Sequence, residues 1–143
     1  MKFTFLVTAI CLTLLSCEKN PSGSISLWEC KTAQFLDSST IANTITGSWL
    51  WTKQLCGDGN SKIKAADKNV KVTFNSNGTF TVLENLSVIS QGNWSLKIVD
   101  NNAWGLDLTL PSDYLYGRIL FCNNQVLFND SYRDGCDNLF VKE

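Results

Sequence analysis

Hydrophobic and polar residues alternate along most of the chain after residue 45. The segment VKVTFN at 70–75 places every second residue, beginning with Val70, on an apolar face and the residues between them on a polar face. The segments WSLKI at 94–98 and LDLTL at 106–110 repeat this period of two. Such alternation is typical of β-strands with one buried and one solvent-facing side.

Turn signals divide this region into eight predicted strands. The dipeptides Asn77-Gly78 and Asn123-Asn124 indicate two-residue hairpin turns, because these residue types tolerate positive φ. The predicted strands are 46–55, 69–75, 79–84, 87–97, 104–110, 115–122, 125–130 and 138–142. Consecutive antiparallel strands with short connections predict an all-β fold, an eight-stranded antiparallel up-and-down barrel, since closing a meander removes its two edges. An open two-sheet sandwich is the alternative.

The first seventeen residues, MKFTFLVTAICLTLLSC, have the pattern of an export signal. Lys2 precedes an apolar run at 3–15, which is followed by the small residues Ser16 and Cys17. The run is shorter than the roughly 20 residues that span a bilayer. The ending LLSC resembles the lipobox of bacterial lipoproteins, which implies that residues 1–16 are removed and that Cys17 is lipidated. An ordinary cleaved signal is the alternative.

This resemblance implies an exported protein that is lipid-anchored in the bacterial cell envelope, at the outer membrane. Residues 17–44 are expected to form a lipidated N-terminal tether and a docking segment, and 45–143 the barrel domain. The tether begins with polar residues, Pro and Gly at 18–26. A short helix is expected at 31–36.

Charge and composition narrow the functional classes. The chain has 12 basic and 13 acidic residues, a formal net charge of -1, and no histidine. No block of basic residues occurs, so nucleic acid is not an expected partner. Without histidine the commonest general base is missing, and no pair of carboxylates stands out. The sequence therefore predicts no catalytic residue, no cofactor and no enzymatic activity.

Four cysteines follow the export signal and Cys17, and we expect them to form two disulfides. An even number of cysteines in an exported chain favours disulfides over a zinc site, and none of the four has metal-ligand spacing. In a closed barrel the end of the first strand lies beside the start of the last, which brings Cys56 to Cys136. Cys30 and Cys122 fall together at the opposite rim.

Acidic residues also gather near the rim that carries the Cys56–Cys136 pair. They are Asp58, Asp67, Asp130, Asp134 and Asp137. Carboxylates in loops can hold calcium, but the segment DGNSKI departs from the EF-hand pattern at the positions of Lys62 and Ile63. Solvated loop charges are the preferred interpretation, and no metal site is predicted.

The segment ITGSWLW at 45–51 carries a resemblance to a known family. A Gly-x-Trp at the start of the first strand of an eight-stranded meander, here Gly47 and Trp49, resembles the lipocalin pattern. The chain is similar, more narrowly, to the lipocalin-like lipoproteins of bacterial envelopes. The resemblance implies that Trp49 closes one end of the barrel and that a basic residue after the last strand, Lys142 by position, packs across it. The long connection at 56–68 would cover the open end.

The barrel interior decides between two functions. If Trp49 points inward, the period of two also sends Trp51 and Leu55 inward, and other aromatic side chains join them. The predicted ligand-contacting residues are Trp51, Phe74, Phe80, Trp94 and Phe121. An eight-stranded barrel is either filled by side chains or holds one small ligand.

The first expectation is therefore a non-catalytic envelope lipoprotein that binds a small apolar ligand. The alternative is a protein-interaction module, such as a hydrolase inhibitor or an envelope accessory subunit, that acts through rim loops. A cavity open at the rim favours the ligand, and a filled barrel with a protruding loop favours the interaction module.

Overall fold

The computed structural model of the chain describes residues 31–32, 36–56 and 63–143. Within these ranges the chain forms ten β-strands, one α-helix and a short 3-10 helix at Ser131–Arg133. The helix α1 spans Ser38–Ile45. The strands are β1 (Lys31–Thr32), β2 (Gly47–Cys56), β3 (Lys64–Ala65), β4 (Val70–Phe74), β5 (Thr79–Glu84), β6 (Ser87–Asp100), β7 (Ala103–Leu108), β8 (Arg118–Cys122), β9 (Gln125–Asn129) and β10 (Cys136–Lys142).

Eight of these strands form a nearly closed antiparallel barrel in the order β8-β9-β10-β2-β4-β5-β6-β7. The predicted all-β barrel of eight antiparallel strands is confirmed, including the pairing of the last strand, β10, with the first, β2. The strands β7 and β8 are the two ends of this order and lie side by side. Here Gly105 lies against Gly117, because a Cβ atom on Gly105 would come within 2.7 Å of the Gly117 carbonyl oxygen.

The eight predicted strands lie close to the observed ones. The largest differences are three residues, in β8, which begins at Arg118 rather than at 115, and in β6, which extends to Asp100 rather than ending at 97. Asn101 and Asn102, both with positive φ, then form the two-residue turn into β7. Such turns match the right-handed twist of the paired strands, so the ladder continues up to the turn.

The predicted helix at 31–36 is wrong in position. Lys31 and Thr32 form the strand β1, which pairs with β8, and the helix begins at Ser38 instead. Asp37 caps it with extended backbone dihedrals, and its carboxylate accepts a hydrogen bond from the Thr40 N–H at 2.8 Å. Ile41 and Ile45, four residues apart, are fully buried in the barrel core.

The core fills the barrel with apolar side chains from seven of the eight barrel strands, from α1 and from the connection between β7 and β8; β6 contributes the half-buried Trp94 and Leu96. Its buried members are Ile41, Ile45, Trp49, Trp51, Val70, Val72, Phe74, Phe80, Val82, Leu106, Tyr114, Leu115, Ile119, Phe121, Val126, Phe128 and Phe140. Aromatic rings contact one another across it, with centroids 5.7 Å apart for Phe128 and Phe140 and 6.4 Å apart for Phe74 and Phe128. The interior is thus packed in the way that protein cores are.

The prediction that Leu55 points into the barrel is wrong. The register of β2 against β10 shifts at Thr52, so that Phe140 faces Trp51 while Leu139 faces Lys53. This bulge moves one extra residue into β2 and reverses which side chains point inward. Leu55 packs instead against a second buried cluster on the other face of the sheet, which consists of Leu120, Leu127 and Leu139.

Candidate functional site

Trp49 lies near the start of β2, against the last turn of helix α1. Its side chain is only 1 % exposed. The indole Nε1 donates a hydrogen bond of 2.6 Å to the carbonyl oxygen of Ile45 in the last turn of α1. This bond satisfies both a buried N–H and a carbonyl that the helix itself leaves unpaired. The tryptophan therefore joins the helix to the start of β2.

Lys142 and Gly47 meet beside this tryptophan. Lys142 pairs with Trp49 in the β10–β2 ladder. Its Nζ lies 5.1 Å from the Trp49 ring centroid and donates to the carbonyl oxygen of Thr44 at 3.0 Å. Gly47 has φ +126°, and a Cβ there would lie 3.2 Å from the Lys142 Cε. The structure thus brings together Gly47, Trp49 and Lys142.

Four of the five residues predicted to contact a ligand lie within the packed core. Trp51, Phe74, Phe80 and Phe121 are all less than a tenth exposed. The Trp51 ring meets the Tyr114 ring edge-on at 5.1 Å. These side chains occupy the space in which a ligand would sit.

The connection between β7 and β8, residues 109–117, packs into the core. Leu115 and Tyr114 are buried, and the Tyr114 hydroxyl donates a hydrogen bond of 2.8 Å to Glu84 at the end of β5. Glu84 also pairs with Lys68 at 2.9 Å. Burial and the Glu84 carboxylate raise the pKa of Tyr114 to about 12, while hydrogen bonds from Lys68 and Tyr114 lower the pKa of Glu84. This plug, defined as Tyr114 and Leu115, was not predicted.

Trp94, the fifth predicted residue, is half-buried and lines an open groove of about 490 Å³. The groove lies between α1 and the inner face of β6 and β7. Its lining residues are Ser38, Ser39, Ala42, Trp94, Ser95, Leu96 and Trp104. None of them carries a charge, and two are half-buried tryptophans.

A second cleft of about 280 Å³ lies between the β6–β7 hairpin and the 109–117 connection. Its lining is largely apolar and includes two cations, Lys97 and Arg133. Each cation already has a carboxylate partner, since Lys97 lies 2.9 Å from Asp107 and Arg133 lies 2.7 Å from Asp130. The two charges are therefore neutralised, and the cleft does not favour an anionic ligand.

The tip of the β5–β6 hairpin is apolar and exposed. Leu86 is 87 % exposed, and Val88 and Ile89 are 54 % and 49 % exposed. Asn85 and Leu86 form the two-residue turn with φ +49° and +70°. The backbone N–H of Asn85 donates to the Asn69 carbonyl at 2.8 Å, which fixes the turn against the start of β4. We refer to Leu86, Val88 and Ile89 as the hairpin tip.

The cysteine predictions are settled for one pair. The predicted Cys56–Cys136 disulfide is confirmed, and the two residues face each other in the β10–β2 ladder. Cys122 is also disulfide-bonded. Its predicted partner, Cys30, and the predicted lipidation site, Cys17, lie outside the described residues, so both of these predictions remain open.

The acidic rim contains a structural carboxylate. Asp137 is 2 % exposed and accepts four hydrogen bonds of 2.8 to 3.0 Å, from Asn129, from the backbone of Asp130, and from the backbone and hydroxyl of Ser131. The interpretation of Asp137 as a solvated loop charge is therefore wrong. In the part of the chain that the structure describes, no group of three or more acidic or cysteine side chains is arranged to hold a metal. Asp58 lies outside that part.

Sequence reasoning missed the plug, Asp137 and the hairpin tip. For the tip a signal was present, because predicted strands at 79–84 and 87–97 leave only Asn85 and Leu86 to turn the chain. For the plug and Asp137 no local pattern distinguishes them from other loop residues.

None of the helices in the described ranges has the length and apolar character needed to cross a bilayer. No family model matches the sequence, and neither the curated proteins nor the solved structures contain a significant match to it.

Proposed function

We propose that this protein is a non-catalytic, exported barrel that binds another protein through its hairpin tip. The observation that carries the proposal is Leu86, an almost fully exposed leucine held in a left-handed turn on a barrel whose interior is filled. A filled barrel leaves the outer surface as the part that can recognise a partner. The tip is the most exposed apolar element among the described residues.

The left-handed backbone conformation of Leu86 lowers the stability of the folded protein. A left-handed conformation costs a residue with a Cβ about 1–2 kcal/mol, and two-residue turns of this kind favour Asn or Gly. The Asn101-Asn102 turn, also with both φ positive, has the favoured residue type at both positions. Leu86 gains almost no burial in return. Local strain without a folding benefit is typical of functional positions.

The geometry of the tip favours a protein partner over a lipid surface. A bilayer accepts apolar side chains in any backbone conformation, so it gives no reason to hold a leucine in a strained turn. A protein pocket does require a fixed shape, and a rigid anchor loses less entropy on binding. We therefore expect the partner to present a concave apolar site that receives Leu86.

Leu86→Asn tests the proposal because stability and binding should change in opposite directions. Asn tolerates the left-handed turn, so the free energy of unfolding should rise by about 1 kcal/mol. A photo-crosslinker placed at Ser87 in cell envelopes should capture a protein with Leu86 present and lose it with Leu86→Asn. Urea denaturation and cross-linking followed by mass spectrometry are the two measurements.

The other two-residue turn provides the matched control. Asn102→Leu places a leucine in an equivalent turn on the β6–β7 hairpin, and it should lower stability while leaving the cross-link at Ser87 intact. A cross-link that survives Leu86→Asn would contradict the proposal. So would capture of lipid alone, or binding to phosphatidylcholine vesicles that depends on Leu86, because either result would assign the tip to a membrane.

Export and lipid anchoring belong to the same proposal. The sequence at 1–17 supports them, and the Cys56–Cys136 disulfide is compatible with an oxidising compartment. A Cys17→Ser variant should appear as soluble protein or as unprocessed precursor in fractionated cells. Membrane attachment that is unchanged in this variant would rule out the lipid anchor.

A small apolar ligand inside the barrel, the first expectation from the sequence, stays a prediction and is the weaker candidate. Such a ligand would have to displace buried side chains such as Trp51 and Phe74. Native mass spectrometry of protein purified from envelopes would reveal a retained molecule. A stoichiometric apolar ligand would favour this function over the hairpin tip.

A further inference from the structure

A groove at the edge of the filled core combines aromatic and hydroxyl side chains. Trp94, Leu96 and Trp104 lie at the edge of the core, where helix α1 covers the inner face of β6 and β7 incompletely. The opposite wall, formed by the first turn of α1, contributes Ser38 and Ser39. The groove is therefore apolar on one side and rich in hydroxyls on the other.

We propose that this groove binds a neutral saccharide. The two tryptophans offer ring faces with negative π density, which attract the partly positive C–H groups on the apolar face of a sugar ring. The serine hydroxyls can both donate to and accept from sugar hydroxyls. No charged side chain lines the groove, which favours a neutral ligand over a phosphate or a carboxylate.

Trp94 is held in place before any ligand arrives. Its Nε1 donates to the Asn75 carbonyl oxygen at 3.2 Å, and its ring packs edge-on against Phe74 with centroids 5.5 Å apart. Because the ring is already fixed, binding does not have to order it, and little entropy is lost at this position.

The ladder between β6 and β7 sets the distance between the two tryptophans. Trp94 pairs with Leu108, and Trp104 pairs with Ile98. The two positions are thus four residues apart along the ladder, roughly 13 Å at about 3.3 Å per residue. Leu96 lies between them on the same face. A span of this length fits a short oligosaccharide whose sugar rings contact both indoles better than a single sugar.

On the helix side, Ser39 is oriented by the helix cap. Its hydroxyl donates to the Asp37 carboxylate at 2.5 Å, which leaves the lone pairs of the Ser39 oxygen free to accept from a sugar hydroxyl. The open shape of the groove also suits a hydrated ligand. A lipid chain needs a site that encloses most of its surface, which this groove does not provide.

An array of neutral oligosaccharides, followed by NMR titration, tests the proposal. The chain has five tryptophans, so five indole N–H signals report on the ligand's position. We expect an oligosaccharide from the array to shift the signals of Trp94 and Trp104. Octanoate serves as the apolar comparison ligand and should leave both signals unchanged.

Two variants and one control locate the site. Trp104→Ala and Ala42→Arg should each weaken binding of the oligosaccharide by about tenfold, the factor that corresponds to ~1.4 kcal/mol. Ala42 is half-buried on the helix wall of the groove. Ala42→Arg therefore obstructs the groove without removing a large core side chain, and it serves as the test if Trp104→Ala unfolds. Tyr116→Ala, which removes a 40 % exposed aromatic side chain elsewhere, should have no effect.

The proposal is overturned if no oligosaccharide on the array binds. It is also overturned if the bound sugar shifts other indole signals instead, if affinity is unchanged in Ala42→Arg, or if octanoate occupies the groove. None of these results depends on the hairpin tip, so the saccharide site and the protein-binding tip can fail separately.

Discussion

The ammonium nitrogen of Lys142 lies 5.1 Å from the centroid of the Trp49 ring. The two residues face each other across the ladder that joins the last strand to the first. Lys142 also bonds to Thr44 in helix α1, so one side chain links β10, β2 and the helix. Gly47 leaves room for the lysine stem to pass.

The first prediction concerns the coupling of this pair. Trp49→Ala removes a side chain that is 1 % exposed and should lower the free energy of unfolding by about 3–5 kcal/mol. Lys142→Ala should cost less, about 1 kcal/mol, through loss of the cation–π contact. A double-mutant cycle measured by urea denaturation should give a coupling of at least about 0.5 kcal/mol. The control is a second double-mutant cycle between Trp49 and the exposed Lys53, for which the coupling energy should be zero. If the coupling energy between Trp49 and Lys142 is also zero, their contact does not stabilise the barrel.

The second prediction concerns the buried carboxylate of Asp137. Asp137→Ala leaves its donors on Asn129, Asp130 and Ser131 without an acceptor, and each unsatisfied buried group costs about 1–3 kcal/mol. We expect a loss of at least ~3 kcal/mol in urea denaturation. Asp107→Ala, which breaks an exposed pair with Lys97, should cost less than about 1 kcal/mol. Equal losses in the two variants would show that Asp137 does not organise the β9–β10 connection.

The third prediction concerns the pH dependence of the plug. The pKa of Glu84 is lowered by Lys68 and Tyr114, so its contribution is present above the ordinary glutamate pKa and is lost as the pH falls through the lowered value. Burial and Glu84 raise the pKa of Tyr114 from 10.0 to about 12. The contribution of Tyr114 is therefore complete below pH 10 and is lost as the pH rises through about 12.

The free energy of unfolding, measured by urea denaturation as a function of pH, should show these two losses separately. Glu84→Gln should reduce the loss of stability at acid pH, and Tyr114→Phe should reduce the loss at alkaline pH. If the variant that carries both substitutions still loses stability at acid and at alkaline pH to the same extent, other groups cause the pH dependence.

The fourth prediction concerns the disulfides. Cys56 and Cys136 are 80 residues apart in sequence, and on the chain-entropy model the closed loop is worth ~4 kcal/mol. The Cys56→Ala, Cys136→Ala double variant should lose about this much in thermal or urea unfolding. Mapping of non-reduced peptides should in addition yield Cys30 bonded to Cys122. A Cys30–Cys56 bond would be incompatible with the structure.

Local sequence patterns determined the strands of this protein. Alternating apolar residues such as Val70, Val72 and Phe74 fix a strand and its inner face through neighbours only two positions away, and Asn or Gly turns are equally local. The order of the strands then followed, and with it the Cys56–Cys136 pair. The helix cap at Asp37, followed by Ile41 and Ile45 four residues apart, was also readable in the sequence, although the helix was predicted seven residues too early.

Only the tertiary structure decided how the interior is used. Whether a barrel of eight strands is filled depends on the summed volume of side chains from all strands, and the plug residue Tyr114 enters from a loop with no distinguishing pattern. The bulge at Thr52 turns the Leu55 side chain to the other face of the sheet, because β2 must follow the register of β10, more than eighty residues away in sequence. Asp137 is held in its buried position because donors from the end of β9 and the turn that follows β9, all of which precede Asp137 in the chain, converge on it. The filled interior and the register of β2 depend on residues far apart in the chain, and the burial of Asp137 depends on how the connection between β9 and β10 folds back on it. A local pattern of apolar and polar residues specifies neither.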